Sequence, residues 1–437
     1  MGRKSQNIAV VGLWHLGSVY AASLARMGFD VVGIDFKPEV VEGLQKGVPP
    51  IFEPELEDTI KKYRKNLRFS SDMSDLKDKA YIFITHDVEV NAEDKADLTV
   101  IKKIFAAIVK HVNPETIVVI SSQIPVGTSR SLVKSLQKKG IQNPHVIYFP
   151  ENLRLGTAFD SFLNPDRVII GSDSAKALDA FEHDLQFTSP ILKMNLESAE
   201  MVKHALNSYL ATCISWSSEM SDLAETVGAH MPDVVKALKT EKRVSPYAPI
   251  SPGLGFAGGT LGRDVQTLRS LGKASNYRTK LFDAVYGVNK DRLPMLIKKI
   301  EKVYPKLGKK KIGILGLTYK PNTNTLRRSM SVELAAQLNK KGSMVRAYDP
   351  LVNEPIAEMP FIKVSTEEDD FFKDLDMVIL MNESREFLDI DSKRAAKHMK
   401  RRILIDTKNF LTRDSWEKQK FTYIGMGVSV PAKKIRT

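Results

Sequence analysis

The sequence comprises 437 residues, of which 43% are apolar and 27% are charged, and its formal net charge is +13 at pH 7. This length allows two or three domains with their own cores, and the composition is ordinary for a globular protein. Because the sequence has no run of about eighteen apolar residues and no signal-peptide pattern at its start, we expect no membrane partner and a cytoplasmic location. The single cysteine, Cys213, excludes an internal disulfide and a cysteine metal cluster, and it fits a reducing compartment.

Lysines and arginines occur in short groups along the sequence, for example at 102–103, 138–139, 309–311 and 400–402. A basic chain can bind nucleic acid, an anionic surface or phosphorylated small molecules. The sequence carries no nucleic-acid recognition motif, so we expect no nucleic-acid partner. We interpret most of these groups as solvated helix faces and loops.

Apolar runs and helical patterns alternate along the chain, which indicates parallel sheets covered by helices. Strands are predicted at 7–11, 30–34, 80–84, 116–121, 145–149, 312–315, 377–380 and 403–405, and two more strands are predicted to end at Gly171 and at 347–350. Long helices are predicted at 197–227 and about 278–303. The sequence therefore predicts an α/β fold, with two Rossmann-like doubly wound domains joined by a central long helix. The predicted domain limits are 1–196, 197–305 and 306–437.

The first strand, helix and strand form a pattern typical of dinucleotide binding. Gly12 follows the first strand, Gly17 lies five residues later in the predicted helix, and Asp35 ends the second strand. Gly12 allows the tight turn, Gly17 lets the helix pack on the strand, and Asp35 accepts hydrogen bonds from ribose hydroxyls, which disfavours a 2′-phosphate. Trp14 replaces the second glycine of the fingerprint, so its side chain must turn aside or shift the cofactor.

The predicted helix at 197–227 carries Lys203 and Asn207, whose spacing of four residues places them on one helix face. An ammonium group and an amide can together hold a substrate oxygen and move its proton. An exposed surface pair is the simpler interpretation, but the apolar neighbours of Lys203 and Asn207 indicate a buried helix and favour a functional role.

The segment 252–264 contains five glycines in thirteen residues and surrounds one hydroxyl, that of Thr260. Glycines at this density let the backbone approach a ligand closely or adopt positive φ angles. Asp264 follows Thr260 by four residues, so the segment predicts a site that combines a hydroxyl and a carboxylate.

From the first strand to near its C-terminus, the chain resembles the UDP-glucose/GDP-mannose dehydrogenase family of nucleotide-sugar dehydrogenases. The resemblance is carried, in order, by Gly12 to Gly17 with Asp35, by Pro-Ile-Phe-Glu-Pro-Glu-Leu at 50–56, by Pro-Glu-Asn-Leu-Arg at 150–154 and Asn-Pro-Asp-Arg at 164–167, by Glu200, Lys203 and Asn207, by the glycine segment, and by 316–320, 327–329 and 348–350. Members of this family oxidise C6 of a nucleotide sugar twice with two NAD⁺, and a cysteine captures the intermediate aldehyde.

The resemblance implies an NAD-binding domain, a central dimerisation region with the catalytic glycine-rich loop, and a nucleotide-sugar-binding domain. It also implies a UDP-sugar substrate, a role in polysaccharide biosynthesis and a homodimer in which Arg243 reaches the partner's substrate. The implied catalytic residues are Lys203, Asn207, Asp264, Thr260 and Glu151; the cofactor-binding residues are Gly12, Gly17, Asp35, Lys37, Arg263 and Arg327; and the substrate-binding residues are Leu153, Arg243, Gly255, Phe256 and Lys320.

The sequence departs from the family pattern at the reacting centre. Thr260 occupies the cysteine position, and a threonine hydroxyl stays protonated near neutral pH unless a base activates it, so a thioester route is not available there. Leu155 replaces one of two acids near the sugar, Gln123 replaces a loop threonine, and Lys408 replaces an arginine. The loop that covers the cofactor in the family reads Thr-His-Asp-Val-Glu at 85–89.

These departures leave three hypotheses. The first is an NAD-dependent nucleotide-sugar oxidoreductase that stops at a two-electron stage or oxidises another hydroxyl. The second is an inactive homologue that binds nucleotide sugar or NAD and has a regulatory or structural role. The third is full four-electron oxidation, in which a hydrated aldehyde donates the second hydride.

Overall fold

A computed structural model describes residues 6–89, 96–150, 153–256 and 259–429. The strands are β1 (Asn7–Val11), β2 (Asp30–Ile34), β3 (Leu67–Ser70), β4 (Tyr81–Ile84), β5 (Ile117–Ile120), β6 (His145–Tyr148), β7 (Val168–Gly171), β8 (Ile191–Met194), β9 (Lys311–Leu315), β10 (Met344–Tyr348), β11 (Ile362–Val364), β12 (Met377–Leu380), β13 (Ile403–Asp406) and β14 (Thr422–Gly425). The helices are α1 (His15–Arg26), α2 (Pro38–Gln45), α3 (Leu56–Lys62), α4 (Thr99–His111), α5 (Thr128–Lys138), α6 (Ala158–Leu163), α7 (Ala175–Leu185), α8 (Leu196–Val227), α9 (Met231–Leu238), α10 (Leu261–Ala274), α11 (Lys280–Val303), α12 (Met330–Lys340), α13 (Glu368–Phe372), α14 (Ser392–His398) and α15 (Arg413–Lys418).

The chain divides into two compact units, one up to Leu206 and one from Asn207 onward. The first unit contains an eight-stranded sheet of order β3-β2-β1-β4-β5-β6-β7-β8, in which only the β6–β7 pair is antiparallel among the described strands. The helix α8 begins in the first unit and continues into the second, so the division falls inside one element.

Both faces of the first sheet are covered, which explains why its strands are continuous apolar runs. Along β1, Ile8 and Val10 pack into a cluster with the helix residue Tyr20, and the alternate residues Ala9 and Val11 pack into a second cluster on the other face. All five side chains are almost completely buried. A strand with one solvated face would instead have alternated apolar and polar residues.

The second unit contains a six-stranded parallel sheet of order β11-β10-β9-β12-β13-β14. It also contains most of α8 together with the helices from α9 to α11. Polar contacts attach these helices to the sheet: Glu225 on α8 accepts hydrogen bonds from Lys299 Nζ at 2.5 Å and from the N–H of Gly427 at 2.8 Å, and Lys299 also donates to the carbonyl of Gly425.

The structure confirms the predicted α/β class with two Rossmann-like sheets. The predicted strands are present, and those predicted to end at Ser121 and Phe149 end one residue earlier, at Ile120 and Tyr148. The sequence did not predict β3, β8, β11 and β14, which are short strands at or near the edges of the sheets. Edge strands are partly exposed, so their apolar pattern is weak; β8, for example, has no fully buried residue.

Among the residues that the structure describes, no helix is long and apolar enough to cross a membrane. The division of the chain into three domains at residues 196 and 305 stays a prediction.

Candidate functional site

The turn after β1 depends on two glycines. Gly12 has a φ of +95°, and a Cβ placed on it would lie 2.5 Å from the Cα of His86. A Cβ on Gly17 would collide with the carbonyl oxygen of Gly12 and lie 2.7 Å from Thr85 Oγ1. Thr85 Oγ1 in turn donates to the carbonyl of Gly12 at 2.8 Å. The predicted roles of the two glycines therefore have a steric basis in the structure.

The carboxylate of Asp35 lies at the end of β2, against this turn. It accepts hydrogen bonds from the N–H of Leu13 at 2.6 Å and from the N–H of Lys37 at 3.0 Å. The Lys37 side chain is exposed, while Asp35 is almost buried. The structure thus brings the predicted cofactor residues Gly12, Gly17, Asp35 and Lys37 together around one turn.

The second sheet repeats this arrangement with one difference. After β9, Gly316 has a φ of +89°, and Asp349 at the end of β10 accepts from the N–H of Leu317 at 2.8 Å. Asp349 also accepts from the N–H and the hydroxyl of Thr318, at 3.0 and 3.1 Å, and from the N–H of Leu351 at 2.9 Å. A carboxylate has about four acceptor positions.

Among the described residues, four hydrogen bonds from the chain reach Asp349, three of them at one oxygen, whereas two reach Asp35, one at each oxygen. The remaining two acceptor positions on Asp35 match the two hydroxyls of a ribose diol. The difference agrees with the prediction that the turn in the first sheet holds the dinucleotide.

Trp14 turns aside from the glycine turn. It is the N-cap of α1, its side chain is 44% exposed, and the first turn of α1 contains no acidic residue. The positive end of the helix is therefore not neutralised by a carboxylate of its own first turn, which suits a pyrophosphate. Together with the spare acceptor positions on Asp35, this shows that the residues present fit NAD.

A buried carboxylate, that of Glu53, joins three segments of the first unit. Its oxygens bond to His15 Nε2 at 2.8 Å, to the N–H of Gly156 at 3.0 Å and to the N–H of Ala158 at 2.8 Å. Burial raises the pKa of Glu53, but the hydrogen bonds from His15, Ala158 and Gly156 outweigh that effect and hold the pKa below its ordinary value of 4.5. Glu53 thereby ties the first turn of α1 to the loop that follows β6.

Glu200, on α8, holds a second loop. Its carboxylate accepts from the N–H of Gly127 at 2.5 Å and from the N–H of Ser129 at 2.8 Å, and it thus caps the N-terminus of α5 from another helix. Burial raises the pKa of Glu200 more than these hydrogen bonds lower it. The capped loop includes Gln123, which is nearly buried.

The loop at 85–89 lies beside the glycine turn, because its first residue, Thr85, donates a hydrogen bond to the carbonyl of Gly12. Burial lowers the pKa of His86 more than the nearby carboxylates of Asp35, Asp87 and Glu89 raise it. An imidazole with a lowered pKa is neutral near pH 7, so His86 adds no positive charge to the turn.

The predicted catalytic residues Asn207 and Asp264 meet in the second unit. The Asn207 amide on α8 donates a hydrogen bond to a carboxylate oxygen of Asp264 on the first turn of α10. Asp264 is completely buried, and Asn207 is 5% exposed. Lys203, one helical turn before Asn207 on α8, is also buried. Thr260, by contrast, is the exposed N-cap of α10, and its hydroxyl does not cap the helix.

The glycine segment is fixed by residues of α11 that the sequence did not predict. Asn289 accepts from the N–H of Phe256 at 2.8 Å and donates to its carbonyl at 3.1 Å, so one amide binds both backbone groups. Gly255 has a φ of +78°, and a Cβ there would overlap the Asn289 side chain. Arg292, which is 1% exposed, pairs with Asp222 on α8 at 2.5 Å and donates to the carbonyl of Gly253 at 3.4 Å.

The remaining predicted residues occupy several places. Phe256 packs with residues of α8 and α10, and Arg263 lies in the first turn of α10. Lys320 lies just after the Gly316 turn, with its ammonium 5.7 Å from the ring of Tyr319. The side chain of Arg243 is 87% exposed and pairs with Glu241 at 3.0 Å.

Arg327 is exposed, and Leu153 packs against the core of the first sheet. Lys408, in the position of a family arginine, lies 3.6 Å from Glu383. Glu151 lies outside the described residues.

Two Rossmann-like sheets, of which the first carries a glycine turn and an aspartate at the end of its second strand, are typical of nicotinamide-dependent oxidoreductases. Comparison with protein families gives the more specific assignment. Residues 6–184 match the NAD-binding domain, residues 197–291 the central domain and residues 313–413 the UDP-binding domain of the UDP-glucose/GDP-mannose dehydrogenase family. The chain belongs to this family, and its predicted NAD cofactor and dehydrogenase class are confirmed at that level.

Individual relatives agree with this assignment. The UDP-glucose 6-dehydrogenase TuaD of Bacillus subtilis is 30% identical over 430 residues, which cover 97% of this chain and 93% of the relative. The solved UDP-glucose dehydrogenase of Pyrobaculum islandicum matches with a TM-score of 0.88 and 26% identity, over 98% of this chain and all of the other. A UDP-D-ManNAc dehydrogenase from Pyrococcus horikoshii shares the fold, with a TM-score of 0.85, 24% identity and coverage of 97% and 99%.

The steric role of Gly12 can be separated from its φ angle by comparison with Gly28, which has a φ of +96° but no atom within 4 Å of the position that a Cβ would take. We expect Gly28→Ala to lower the free energy of unfolding by about 1 kcal/mol, the cost of a positive φ. Gly12→Ala should lower it by about 2 kcal/mol more, because the His86 backbone must move, and should also weaken NAD binding. Urea denaturation and calorimetry with NAD⁺ measure both effects; equal losses in the two variants would contradict the steric role.

Glu53→Gln should change how stability depends on pH. Because the folded-state pKa of Glu53 lies below 4.5, its contribution is complete above pH 4.5 and is lost as the pH falls through the lowered pKa. At pH 7 we expect the variant to be less stable by about 1.5–3 kcal/mol, and this difference should shrink under acid conditions. Unfolding by urea across a pH series measures it.

Glu200→Gln is the control with the opposite sign. Because the folded-state pKa of Glu200 is raised, the parent protein loses stability as the pH rises from 4.5 through that raised pKa. The variant has no carboxylate to ionise, so its free energy of unfolding should increase relative to that of the parent as the pH rises. If the difference in unfolding free energy from the parent changed with pH in the same way for both variants, the opposite pKa shifts of Glu53 and Glu200 would be contradicted.

Proposed function

We propose that this protein oxidises one hydroxyl-bearing carbon of a UDP-sugar with NAD⁺ and stops after a single two-electron step. Membership of the family and the spare acceptor positions on Asp35 support the use of NAD. The observation that carries the restriction to two electrons is the exposed Thr260 in place of a cysteine, beside an intact Asn207–Asp264 pair. The names of the relatives support UDP-glucose as the first sugar to test.

The proposed reaction removes a hydride from the carbinol carbon and a proton from its hydroxyl, and leaves a carbonyl group. NAD⁺ supplies the hydride acceptor. Asn207 fixes the Asp264 carboxylate by its hydrogen bond, and the position of Asp264 in the first turn of α10 stabilises the negative charge of that carboxylate. We assign Asn207 and Lys203 to holding the substrate hydroxyl, and the Asp264 carboxylate to accepting its proton.

A second oxidation through an enzyme-bound ester needs a nucleophile that attacks the aldehyde. A threonine hydroxyl requires an adjacent base for this attack, whereas a thiolate does not. The Thr260 hydroxyl is exposed at the start of α10, where water competes for it. We therefore propose that the carbonyl product leaves without forming a bond to the protein.

One experiment, described below, distinguishes the proposal from two alternatives. An inactive binding protein is favoured by Trp14, Thr260 and Leu155, which all depart from the family pattern. Four-electron oxidation through a hydrated aldehyde needs no thiol, because the gem-diol itself can donate the second hydride. The retained Asn207–Asp264 pair supports an active enzyme over the inactive protein, because binding of a nucleotide sugar or NAD alone does not require a group that accepts a proton.

We assign the sugar nucleotide to Lys320, Gly255, Phe256 and Leu153, as the resemblance implies. The clamp of Asn289 on the backbone of Phe256 supports a rigid segment at this place. The family supports a role in making acidic or modified sugars for polysaccharides, and the single cysteine supports a cytoplasmic location.

We further propose a homodimer that forms through α8. Four large side chains at spacings of seven, seven and four residues share one face of this helix and are exposed: Tyr209 by 58%, Trp216 by 41%, Leu223 by 59% and Val227 by 78%. Such a contiguous apolar stripe is typical of an interface. The exposed Arg243 is the residue that we assign to the partner's substrate.

The number of NADH molecules formed per sugar consumed tests the proposed chemistry. With UDP-glucose and other UDP-sugars, we expect one NADH per sugar and a carbonyl product that a hydrazine reagent traps. Two NADH per sugar with an acid product would support the gem-diol route instead. Binding of a UDP-sugar without NAD⁺ binding or turnover would support the inactive protein.

Thr260→Cys extends this test, with Thr260→Ser as the matched control. If the missing thiol limits the reaction, the cysteine variant gains acid product and a second NADH, because a thiolate can capture the aldehyde. The serine variant keeps a hydroxyl and should behave as the parent does. Acid formation by the serine variant would contradict the assignment of the limit to the thiol.

The dimer is tested by Leu223→Glu, which places a charge in the apolar stripe of α8. We expect the parent to have the mass of two chains in light scattering and the variant to have the mass of one, since an unpaired buried charge is strongly unfavourable. Phe52→Glu, at a side chain that is 67% exposed in the first unit, is the control and should remain a dimer. A monomeric parent would refute the dimer.

A further inference from the structure

The sheet of the second unit has a strongly basic edge at the amino ends of its strands. We use the name "basic edge" for the segments 301–311, 340–344, 373–377, 397–403 and 417–422, which lead into β9, β10, β12, β13 and β14. All the strand pairs in this sheet are parallel, so these segments lie at one edge of the sheet.

Backbone hydrogen bonds connect each segment of the basic edge to the next. The N–H of Met344 donates to the carbonyl of Lys310 and that of Asp376 to the carbonyl of Lys311, both at 2.8 Å. The N–H of Lys400 donates to Leu375 at 3.0 Å, and the N–H of Thr422 donates to Arg402 at 2.8 Å. Five adjacent strands span about 19 Å at the usual strand spacing.

Most of the net charge of the protein lies in the basic edge. Its segments contain fourteen lysines and arginines and four aspartates and glutamates, which gives a net charge of +10, compared with +13 for the whole chain. The four acids are Glu301, Asp374, Asp376 and Glu417, so most of the cations cannot be neutralised locally. Glu358, before the outermost strand β11, bounds the basic edge on one side.

Two of the four acids, Asp374 and Asp376, are engaged with the lysines near the centre, and Glu301 lies 2.8 Å from Lys341 Nζ. Asp374 lies 3.3 Å from Lys311 Nζ, and Asp376 lies 3.7 Å from Lys310 Nζ and 4.0 Å from Lys400 Nζ. A cavity of about 320 Å³ is lined by Lys309, Lys311, Asp374, Asp376 and Lys400. The ion pairs hold the central lysines in place, and exposed cations surround them on both sides: Lys306, Lys340, Lys341, Lys373, Lys397, Arg401, Lys418 and Lys420.

The basic edge is not the site for the phosphates of the substrate or the cofactor. In parallel α/β sheets ligands bind at the carboxyl ends of the strands, where this sheet has the Gly316 turn, Asp349 and Lys408. The amino ends lie at the opposite edge of the same sheet. The concentration of positive charge there needs another partner.

The chemistry of the basic edge favours a lipid surface over nucleic acid. Twelve of its fourteen cations are lysines, which act as hydrated point charges, whereas specific recognition of phosphates and bases uses the planar fork of arginine. The aromatic rings in these segments, Tyr304 and Phe421, are buried and cannot stack on bases. Met344 is 51% exposed between lysines, and it can enter the boundary between headgroups and acyl chains.

We propose that the basic edge binds the anionic headgroups of a lipid bilayer. Lysines spread over five strand ends match a planar layer of negative charges, which requires no fixed spacing between its groups. The binding is peripheral and electrostatic, so it needs no membrane-spanning helix, and it departs from the expectation, drawn from the sequence, that the protein has no membrane partner. It is independent of the catalytic proposal because none of its residues is assigned to the reaction.

Sedimentation with vesicles tests this inference. The full-length protein is mixed with vesicles that contain about 30% phosphatidylserine in phosphatidylcholine, or with pure phosphatidylcholine, at about 0.05 M salt. We expect binding to the anionic vesicles only, and loss of this binding at about 0.5 M salt. The double variant Lys306→Glu, Lys340→Glu should bind at least about tenfold more weakly.

The double variant Lys102→Glu, Lys103→Glu is the matched control, because it makes the same change in net charge at exposed positions on α4. It should bind as the parent does. Three results would overturn the proposal: no binding of the parent to anionic vesicles, equal weakening in both double variants, or tighter binding to a 20-base-pair duplex than to the vesicles at the same salt concentration.

Discussion

Both sheets of this protein depend on the same hydrogen bond. A carboxylate at the end of the second strand of a β-α-β unit accepts it from the N–H of the residue that follows the glycine after the first strand. Asp35 makes this bond to Leu13, and Asp349 makes it to Leu317. Each bond fixes a turn that only glycine can form, because a Cβ would strike the chain after the fourth or the twelfth strand. The two halves therefore form the same local structure, and they differ in the number of hydrogen bonds that the carboxylate accepts from the chain, two on Asp35 and four on Asp349.

Most of the fold was predictable from local patterns in the sequence. Strands that are buried on both faces appear as unbroken apolar runs, and the glycines and Asp35 mark the turn by their spacing. The short outer strands carried no such pattern. The helix α8 was predicted to within one residue, because neither proline nor glycine interrupts it before Gly228. Its exposed apolar stripe has the same period as a buried face, so the sequence alone could not distinguish the two.

Residues of the candidate site were predictable only where they belong to a motif whose chemistry is known. Asn207 and Asp264 are 57 positions apart, and the resemblance, not their spacing, brought them together. Asn289, Arg292 and Asp222 carried no signal, because an amide or an ion pair inside amphipathic helices is indistinguishable from a surface residue until the helices are packed. Glu53 belongs to a motif, but its contacts with the start of α1 and with the loop after β6 exist only in the tertiary structure.

The exposed Thr260 also bears on how the protein withstands oxidants. A thiolate at that position is open to conversion to sulfenic and higher acids, and each such conversion silences a catalytic cysteine. A threonine hydroxyl does not undergo this chemistry. The only sulfhydryl in the chain, Cys213, is partly buried on α8 and is assigned no part in the reaction. The replacement that we propose to limit the reaction to one oxidation therefore also makes that position insensitive to peroxide and to thiol-alkylating compounds.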